Sequence, residues 1–147
     1  MKKILVMGLP GAGKTYLANV FKNTLENCAW WNADVVREHT NDWDFSDEGR
    51  LRQARRMKTL CDFEKNNGRL VISDFVCPTP ATRKEFDPDI IFWLDTIDAG
   101  RFEDTNKVFV RPSEEEGYVI VKISEFLSDG ELSELAKEYL QNGNKIK

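Results

Sequence analysis

A glycine-rich loop near the N-terminus constrains the fold of this chain more than any other feature. Residues 8–15 read GLPGAGKT and match the pattern G-x-x-x-x-G-K-S/T in full. The apolar run at residues 3–7 is typical of a buried parallel strand, and apolar side chains at positions 17, 20, 21 and 25 follow a helical spacing. A strand, a glycine-rich turn and a helix N-terminus form an anion site, because backbone N–H groups and the helix dipole face the phosphates.

This loop, called the P-loop below, contains the residues needed to hold ATP with Mg²⁺. Lys14 can reach the β- and γ-phosphates, and the hydroxyl of Thr15 can bind Mg²⁺. The residues that we expect to contact the nucleotide within the loop are Gly8, Gly11, Ala12, Gly13, Lys14 and Thr15. An accidental match is disfavoured, since a strand precedes the motif and a helix follows it.

Composition and charge limit the class of protein. The chain has 147 residues and a hydrophobic content of 41%, which suit a single domain over residues 1–147. Its net charge of −4 disfavours a broad binding surface for duplex nucleic acid. No apolar run is long enough to span a membrane, and the first apolar stretch is typical of a strand rather than a signal peptide. The three cysteines lack paired spacing, which indicates reduced thiols and a cytoplasmic location.

Strands and helices alternate along the sequence. Helices are predicted after the P-loop, at residues 47–66 with Ser46 as N-cap, and at residues 131–141, and the tail at 142–147 is expected to fray. Strands are predicted at residues 3–7, 28–32, 70–73, 90–94 and 118–121. This alternation predicts a three-layer α/β fold, in which a parallel sheet of about five strands carries helices on both faces.

Polar residues follow the apolar strands at the points where the strands end. Asp34 and Arg37 come after the second predicted strand, residues 74–78 after the third, and Asp95 after the fourth. Ligands of parallel sheets bind outside the C-terminal strand ends, so these residues should share one crevice with the P-loop. Asp34 can accept a proton from an attacking hydroxyl or hold Mg²⁺ through water, and Arg37 can clamp an anionic acceptor. The alternative is a helix-start aspartate paired with a surface arginine, but the position after a strand favours function.

Several segments resemble the adenylylsulfate (APS) kinase family. Residues 34–37, DVVR, match the family's D-x-V-R, and the P-loop matches its Gly-Leu-x-Gly-Ala-Gly-Lys-Thr. Residues 45–56 follow its pattern F-S-x-x-x-R-x-x-N-I-R-R apart from two positions. Residues 74–78 fall where the family has S-F-I-S-P, and the resemblance as a whole covers about residues 1–95.

The resemblance implies a P-loop kinase-like fold and transfer of the γ-phosphoryl group of ATP to the 3′-hydroxyl of APS. Asp34 is then the catalytic carboxylate, acting with Lys14 and Arg37. Phe45 would stack on the adenine of APS, and Arg37 and Arg50 would hold its phosphosulfate. The residues that the resemblance assigns to acceptor binding are Arg37, Phe45, Arg50, Gln53, Phe75 and Cys77.

The sequence departs from the family at several positions near these motifs. Gln53 and Ala54 stand where the family has Asn and Ile, and Cys77 replaces the Ser of its I-S-P. A thiol is a weak hydrogen-bond donor, so any hydrogen bond made by that serine is weakened or lost. Pro10 replaces the serine of the family's P-loop. These departures leave the identity of the acceptor open.

The segment after the fourth predicted strand does not align with the family's lid, which has several basic residues. The segment 98–111 is short, and its cationic residues are Arg101, Lys107 and Arg111. We expect this segment to be mobile without ligand and to close over ATP, with Gly100 as a hinge. Arg101 and Arg111 are expected to contact the nucleotide.

Two alternatives to an APS kinase-like enzyme stay open. Polynucleotide 5′-hydroxyl kinases also have a P-loop with Pro after Gly-x, followed by D-x-x-R, although the acidic balance of this chain disfavours a nucleic acid partner. The second alternative is a nucleotide-binding module with a decayed acceptor site, which Gln53 and Cys77 would suit but the intact Lys14, Thr15 and Asp34 disfavour. The expected partners are ATP and a small anionic acceptor, and a homodimer is compatible with the sequence.

Overall fold

The computed structural model describes residues 2–141, which are built around one parallel sheet. The strands are β1 (Lys3–Met7), β2 (Cys28–Asn32), β3 (Leu70–Asp74), β4 (Ile90–Leu94) and β5 (Ile120–Ile123). Their order in the sheet is β2-β3-β1-β4-β5, and every neighbouring pair runs parallel. All C-terminal strand ends therefore meet at one edge, which brings together the segments that follow the strands.

Helices connect the strands on both faces of the sheet. They are α1 (Lys14–Thr24), α2 (Ala33–Thr40), α3 (Asp47–Asn66), α4 (Pro80–Phe86), α5 (Glu103–Val108) and α6 (Asp129–Ala136), with a 3₁₀ turn at Glu114–Glu116 and a π-helical turn at Lys137–Gln141. The predicted N-cap of α3 is confirmed, since Ser46 Oγ accepts from the N–H of Gly49. None of the helices in the described part of the chain combines the length and hydropathy that a transmembrane segment needs.

Two hydrophobic cores lie on opposite faces of the sheet. Along β1, Ile4 and Val6 enter one core while Leu5 and Met7 enter the other, as the two-residue period of a strand requires. The first core, called the α1 core, includes buried residues of α1 and α6. The second, called the α3 core, includes buried residues of α2, α3 and α4. This arrangement confirms the predicted α/β fold with helices on both faces.

Strand bounds agree with the sequence prediction except in two strands. β3 runs one residue further, to Asp74, and β5 lies at Ile120–Ile123 rather than at residues 118–121. The bounds of β5 are set by its pairing with β4, which runs from Ile91 opposite Ile120 to Leu94 opposite Ile123. Tyr118 packs against the α3 core before the ladder begins.

The three short helices α2, α4 and α5 were not predicted. They have 8, 7 and 6 residues, which is too short for a hydrophobic period to be recognised in the sequence. Local capping starts α4, where Thr79 and Thr82 form a reciprocal capping box ahead of Pro80. The last predicted helix begins two residues early, at Asp129, and ends in the π-helical turn. The predicted fraying at residues 142–147 lies outside the described residues.

Candidate active site

A cavity of about 680 Å³ opens at the C-terminal edge of the sheet. The P-loop, α2, the α2–α3 loop, α3, the segment after β3 and the start of α5 line this cavity. The predicted site residues that it brings together are Gly11, Gly13, Lys14, Thr15, Asp34, Arg37, Phe45, Arg50, Gln53, Phe75, Cys77 and Arg101. Gly8, Ala12 and Arg111 do not line it. The expected donor and acceptor residues thus face one continuous space.

The backbone of the P-loop has a shape that glycine adopts readily. Gly13 has a φ of 103° immediately before α1, and a Cβ on Gly8 would lie 2.7 Å from the carbonyl oxygen of Leu94. The N-terminus of α1 therefore faces the cavity with unpaired N–H groups that can bind an anion. Lys14 Nζ donates to the carbonyl oxygen of Leu9 at 3.1 Å, so the ammonium folds over the loop.

The electrostatic environment of Lys14 favours a bound anion. Burial lowers the pKa of Lys14, and the positive charge of Arg101 lowers it further, while the charges of Asp74 and Asp34 oppose this shift. A phosphate group beside the ammonium would stabilise its charged form. Two cationic side chains, Lys14 and Arg101, therefore lie close together where the motif predicts phosphate, with the carboxylates of Asp74 and Asp34 nearby.

Asp74 is a site residue that the sequence analysis did not assign. It is only 2% exposed, and its Oδ2 accepts from Thr15 Oγ1 at 3.1 Å and from Asn32 Nδ2 at 2.8 Å. Burial raises the pKa of Asp74, while the hydrogen bond from Asn32 and the charge of Lys14 act against the rise. The signal in the sequence was a carboxylate at the end of a buried apolar strand, at the first position of the segment compared with the family motif.

The oxygen atoms around Thr15 suit a magnesium ion. The Thr15 hydroxyl, the Asp74 carboxylate and the nearby Asp34 carboxylate are hard oxygen donors of the kind that Mg²⁺ prefers. Within residues 2–141, no group of three His, Cys, Asp or Glu side chains forms an all-protein metal cage. That agrees with Mg²⁺, which is usually bound through one or two carboxylates together with water and substrate phosphates.

Asp34 and Arg37 both lie on α2, but they do not form the ion pair between a helix-start aspartate and a surface arginine that a purely structural role would require. Asp34 is in the first turn of α2, where Asn32 Oδ1 caps the helix by accepting from Val35 N–H at 3.1 Å. Arg37 is buried and donates from Nη1 to the carbonyl oxygens of Asp42 at 2.9 Å and Asp44 at 3.4 Å. Burial lowers the pKa of Arg37, while the negative charge of Asp42 acts against the shift. Asp34 is thus left exposed towards the cavity.

An aromatic ring between two arginines forms the opposite wall. The Cζ of Arg37 lies 4.3 Å from the centroid of the Phe45 ring, and the Cζ of Arg50 lies 5.3 Å from it. Arg50 Nε also donates to the carbonyl oxygen of Phe45 at 2.9 Å. Two cationic groups and an aromatic ring are therefore held together on one wall of the cavity.

Gln53 is occupied by contacts within the protein. Its Nε2 donates to the carbonyl oxygen of Ala33 at 3.0 Å, and its Oε1 accepts from Arg56 at 3.1 Å. Arg56 continues to the carboxylate of Asp42 at 2.6 Å, and Arg52 reaches the same carboxylate at 2.7 Å. These contacts fix the α2–α3 loop that carries Phe45, so Gln53 lines the cavity and also supports its wall.

A buried ion pair supports the segment after β3. Cys77 has a φ of 47°, and its carbonyl oxygen accepts from Arg83 Nη1 at 2.9 Å. Arg83 is 0% exposed and forms a bidentate pair with Glu116, from Nε to Oε1 at 2.7 Å and from Nη2 to Oε2 at 3.0 Å. Burial raises the pKa of the Cys77 thiol to about 12, so this thiol is protonated at neutral pH.

The predicted lid segment contains α5 and only part of it reaches the cavity. Arg101 lines the cavity, whereas Arg111 pairs with Asp95 at 3.0 Å and lies 5.5 Å from the ring of Trp93. The expected contact of Arg111 with the nucleotide has no geometric support, because its contacts are with β4 and its C-terminal end. Lys107 does not line the cavity either.

A second, smaller cavity of about 360 Å³ lies on the other side of the P-loop. Ala12, Leu94, Ile123 and Phe126 contribute to its mainly apolar lining. The side chain of Phe126 is 66% exposed, and its ring lies 3.5 Å from the position that a Cβ on Gly13 would occupy. An exposed aromatic ring beside a phosphate loop can stack on a flat heterocycle. The sequence analysis did not single out Phe126, because no motif surrounds it.

Comparisons with known proteins agree with the predicted fold. The family model for adenylylsulphate kinase matches residues 2–90. The structure is similar to that of Mycobacterium tuberculosis APS kinase in complex with AMPPNP and APS, with 18% identity, 95% of each chain covered and a TM-score of 0.75.

Other kinases share the fold at low identity. A sugar kinase from a Janibacter species is 15% identical over 99% of this chain and 98% of its own, with a TM-score of 0.75. A gluconokinase from Sinorhizobium meliloti is 13% identical over 97% of this chain and 93% of its own, with a TM-score of 0.66. No curated protein matches the sequence. At these identities, the structural likeness establishes a P-loop kinase fold.

Proposed function

The chain belongs to the adenylylsulphate kinase family, and on this basis we propose that it transfers the γ-phosphoryl group of ATP to the 3′-hydroxyl of APS. One observation carries the proposal: a single cavity is lined by the P-loop on one side and by Arg37, Phe45 and Arg50 on the other. A donor phosphate and an anionic, ring-containing acceptor can therefore meet without leaving the protein.

In this proposal the nucleotide donor spans both cavities. The N–H groups of the P-loop and the N-terminus of α1 bind the phosphates, with Lys14 and Arg101 as the cations on either side. The base lies in the smaller cavity, where Phe126 offers an exposed ring face. Apolar lining of that cavity supports an aromatic base more than a sugar or a phosphate.

Thr15, Asp74 and Asp34 would hold Mg²⁺ next to the phosphates. The ion supplies charge neutralisation at the β- and γ-phosphoryl oxygens when it is bound. Asp74 accepts hydrogen bonds from Thr15 and Asn32, so the threonine hydroxyl is already oriented. Asp34 lines the cavity beside these groups.

Asp34 is proposed as the base for the acceptor hydroxyl. As the acceptor oxygen forms its bond to the γ-phosphorus, the bond from that phosphorus to the bridging oxygen breaks and ADP leaves. The hydroxyl proton passes to the Asp34 carboxylate, and Lys14 and Arg101 stabilise the charge on the transferred group. Asp34 is exposed towards the cavity and pairs with no protein cation among the described residues. It would hold Mg²⁺ only through water, so its carboxylate can still accept the proton of the acceptor hydroxyl.

The acceptor wall supports a nucleotide-like acceptor. Phe45 supplies a ring edge or face, and the guanidinium groups of Arg37 and Arg50 beside it suit sulfate and phosphate oxygens. Trp43 and Phe102, each 51% exposed, lie at the rim of the same cavity and add further aromatic surface. This combination favours APS over a small alcohol, which would leave the rings uncovered.

The proposal is tested by parallel assays of phosphoryl transfer. Purified protein with Mg-ATP is given APS, gluconate, a simple sugar or a 5′-hydroxyl oligonucleotide, and both ADP and the phosphorylated product are measured. We expect a phosphorylated product when APS is the acceptor and none with the other three acceptors. Asp34→Asn should abolish transfer while AMPPNP binding is retained, and Glu38→Gln, one turn further along α2 and exposed, serves as the matched control.

Each alternative predicts a different result in the same assays. Phosphoryl transfer to the oligonucleotide with no transfer to APS would establish that the protein is a polynucleotide kinase. Nucleotide binding with no transfer to any acceptor would establish a non-catalytic module. Transfer to gluconate or a sugar would place the chain, by activity, with the sugar kinases that share its fold.

A further inference from the structure

The side chain of Asn106 makes two hydrogen bonds to one residue of the segment before α5. Asn106 Oδ1 accepts from the N–H of Gly100 at 2.8 Å, and its Nδ2 donates to the carbonyl oxygen of Gly100 at 2.9 Å. The amide therefore satisfies both backbone polar groups of Gly100, in the way that a neighbouring strand would. This closes residues 100–106 into a small compact unit.

The same glycine rests directly on the P-loop. A Cβ on Gly100 would lie 3.0 Å from the carbonyl oxygen of Pro10 and 3.1 Å from its Cδ, so a larger residue would force the two segments apart. The unit held by Asn106 is thus seated on the loop that binds phosphate. The position of residues 100–106 relative to the P-loop depends on the backbone of Gly100.

The residue after Gly100 is the cation of the cavity wall. Arg101 lines the cavity, and in the described part of the chain it has no carboxylate partner. Its Cζ lies 5.4 Å from the ring of Phe102, a contact that does not neutralise its charge. The place of this guanidinium is therefore determined mainly by the backbone that carries it.

The helix that carries Asn106 is anchored independently. Thr105 is buried, and its Oγ1 lies 3.4 Å from Arg50 Nη2 on the acceptor wall. Asp104 Oδ2 lies 3.8 Å from the same nitrogen. Because α5 is held from the acceptor side, Asn106 can fix Gly100 against a firm support.

We propose that Asn106 is a positioning residue that holds Arg101 beside the P-loop, ready for the γ-phosphate of the nucleotide. The inference rests on the proposed kinase function for the role of Arg101, and it adds a residue outside the matched family segment. Without the double hydrogen bond, residues 98–102 must be ordered when the nucleotide binds, and part of the binding free energy is lost to that ordering. Asn106 does not line the cavity, so we expect it to act through Arg101.

A double-mutant cycle tests this. The affinity of Mg-AMPPNP is measured by calorimetry for the wild type, Asn106→Ala, Arg101→Ala and the double variant. We expect Asn106→Ala to weaken binding about tenfold when Arg101 is present and less than about twofold when Arg101 is already replaced. Equal losses in both backgrounds, or no loss in either, would overturn the proposal.

Two controls separate positioning from loss of structure. Asn106→Asp keeps the acceptor for the Gly100 N–H but loses the donor to its carbonyl oxygen, so it should fall between wild type and Asn106→Ala. Glu103→Gln, exposed on the same helix, should bind AMPPNP as the wild type does. If the wild type binds AMPPNP but phosphorylates no acceptor, the proposed function fails while the cycle still decides the role of Asn106. Absence of AMPPNP binding by the wild type overturns both.

Discussion

The buried pair of Arg83 and Glu116 allows a quantitative prediction about stability. Arg83 is 0% exposed, whereas the side chain of Glu116 retains 13% exposure. Removing either partner breaks the same bidentate contact, but the charge that is left behind meets different surroundings. After Glu116→Ala the guanidinium of Arg83 stays buried, and only its bond to the Cys77 carbonyl oxygen remains. After Arg83→Met the carboxylate of Glu116 can turn towards water.

The expected costs follow from this difference. Breaking a buried ion pair by removing one partner costs roughly 3–5 kcal/mol, mostly through the uncompensated charge. We therefore expect Glu116→Ala to lower the free energy of unfolding by about 4 kcal/mol. Arg83→Met should cost about 2 kcal/mol, because methionine fills much of the volume and Glu116 regains solvent. Against a typical total of about 5–15 kcal/mol, both changes are readily measured.

Urea unfolding followed by the fluorescence of the four tryptophans measures both values. Glu85→Ala on α4 is the matched control, because its partner Arg55 is 60% exposed and an exposed pair contributes about 1 kcal/mol or less. If Arg83→Met costs as much as Glu116→Ala or more, the argument from burial is refuted.

The same pair predicts a pH dependence. Burial alone would raise the pKa of Glu116, but the hydrogen bonds and charge of Arg83 outweigh it and hold the pKa below its ordinary value of 4.5. A carboxyl whose pKa is lowered by folding adds stability that is fully present above 4.5 and is lost as the pH falls through the lower folded value. The difference in free energy of unfolding between wild type and Glu116→Gln should accordingly shrink as the pH is lowered from 4.5 through the folded pKa of Glu116.

The P-loop, the metal side and the acceptor wall can each be tested by one substitution. Lys14→Ala should reduce ATP turnover about 10²-fold or more in a steady-state assay, because a charge on the transferred phosphates is removed. Burial raises the pKa of Asp74 above its ordinary value, so ionisation of this carboxyl lowers the stability of the folded protein as the pH rises through the folded pKa. Asp74→Asn should therefore raise the melting temperature of the ligand-free protein at pH 7 but not at pH 3. The same variant should remove the effect of Mg²⁺ on AMPPNP affinity. Asp104→Asn should lower the KM for APS about two- to fivefold, since an exposed carboxylate no longer competes for Arg50.

The sequence was sufficient where local pattern decides the structure. The P-loop, the bounds of β1, β2 and β4, and the placing of Phe45 and Arg50 on one wall follow from short-range motifs and strand ends. Asp74 was missed as a metal-side residue because a single carboxylate after an apolar strand carries no motif of its own. Its hydrogen bonds with Thr15 and Asn32, on which the proposed role rests, form only in the folded chain.

Other features depend on residues that meet only in the folded chain. Arg83 and Glu116 are 33 positions apart, and nothing in either neighbourhood indicates the pair. Arg111 was expected at the nucleotide because it is a cation in a short lid, and its pairing with the carboxylate of Asp95 is a contact that no motif indicates. The double hydrogen bond of Asn106 spans just six positions, yet it requires a turn whose backbone the sequence does not determine.

The two separate cores have a consequence for how this protein can change during evolution. The α1 core supports the phosphate loop and the small apolar cavity, while the α3 core supports the acceptor wall. Since adjacent residues of each strand face different cores, a substitution behind the acceptor wall leaves the packing behind the donor site intact. Under the proposed function, acceptor preference can thus diverge among descendants while ATP use is retained. The same division recommends α2, α3 and the loop between them as the region to randomise when a new acceptor is sought.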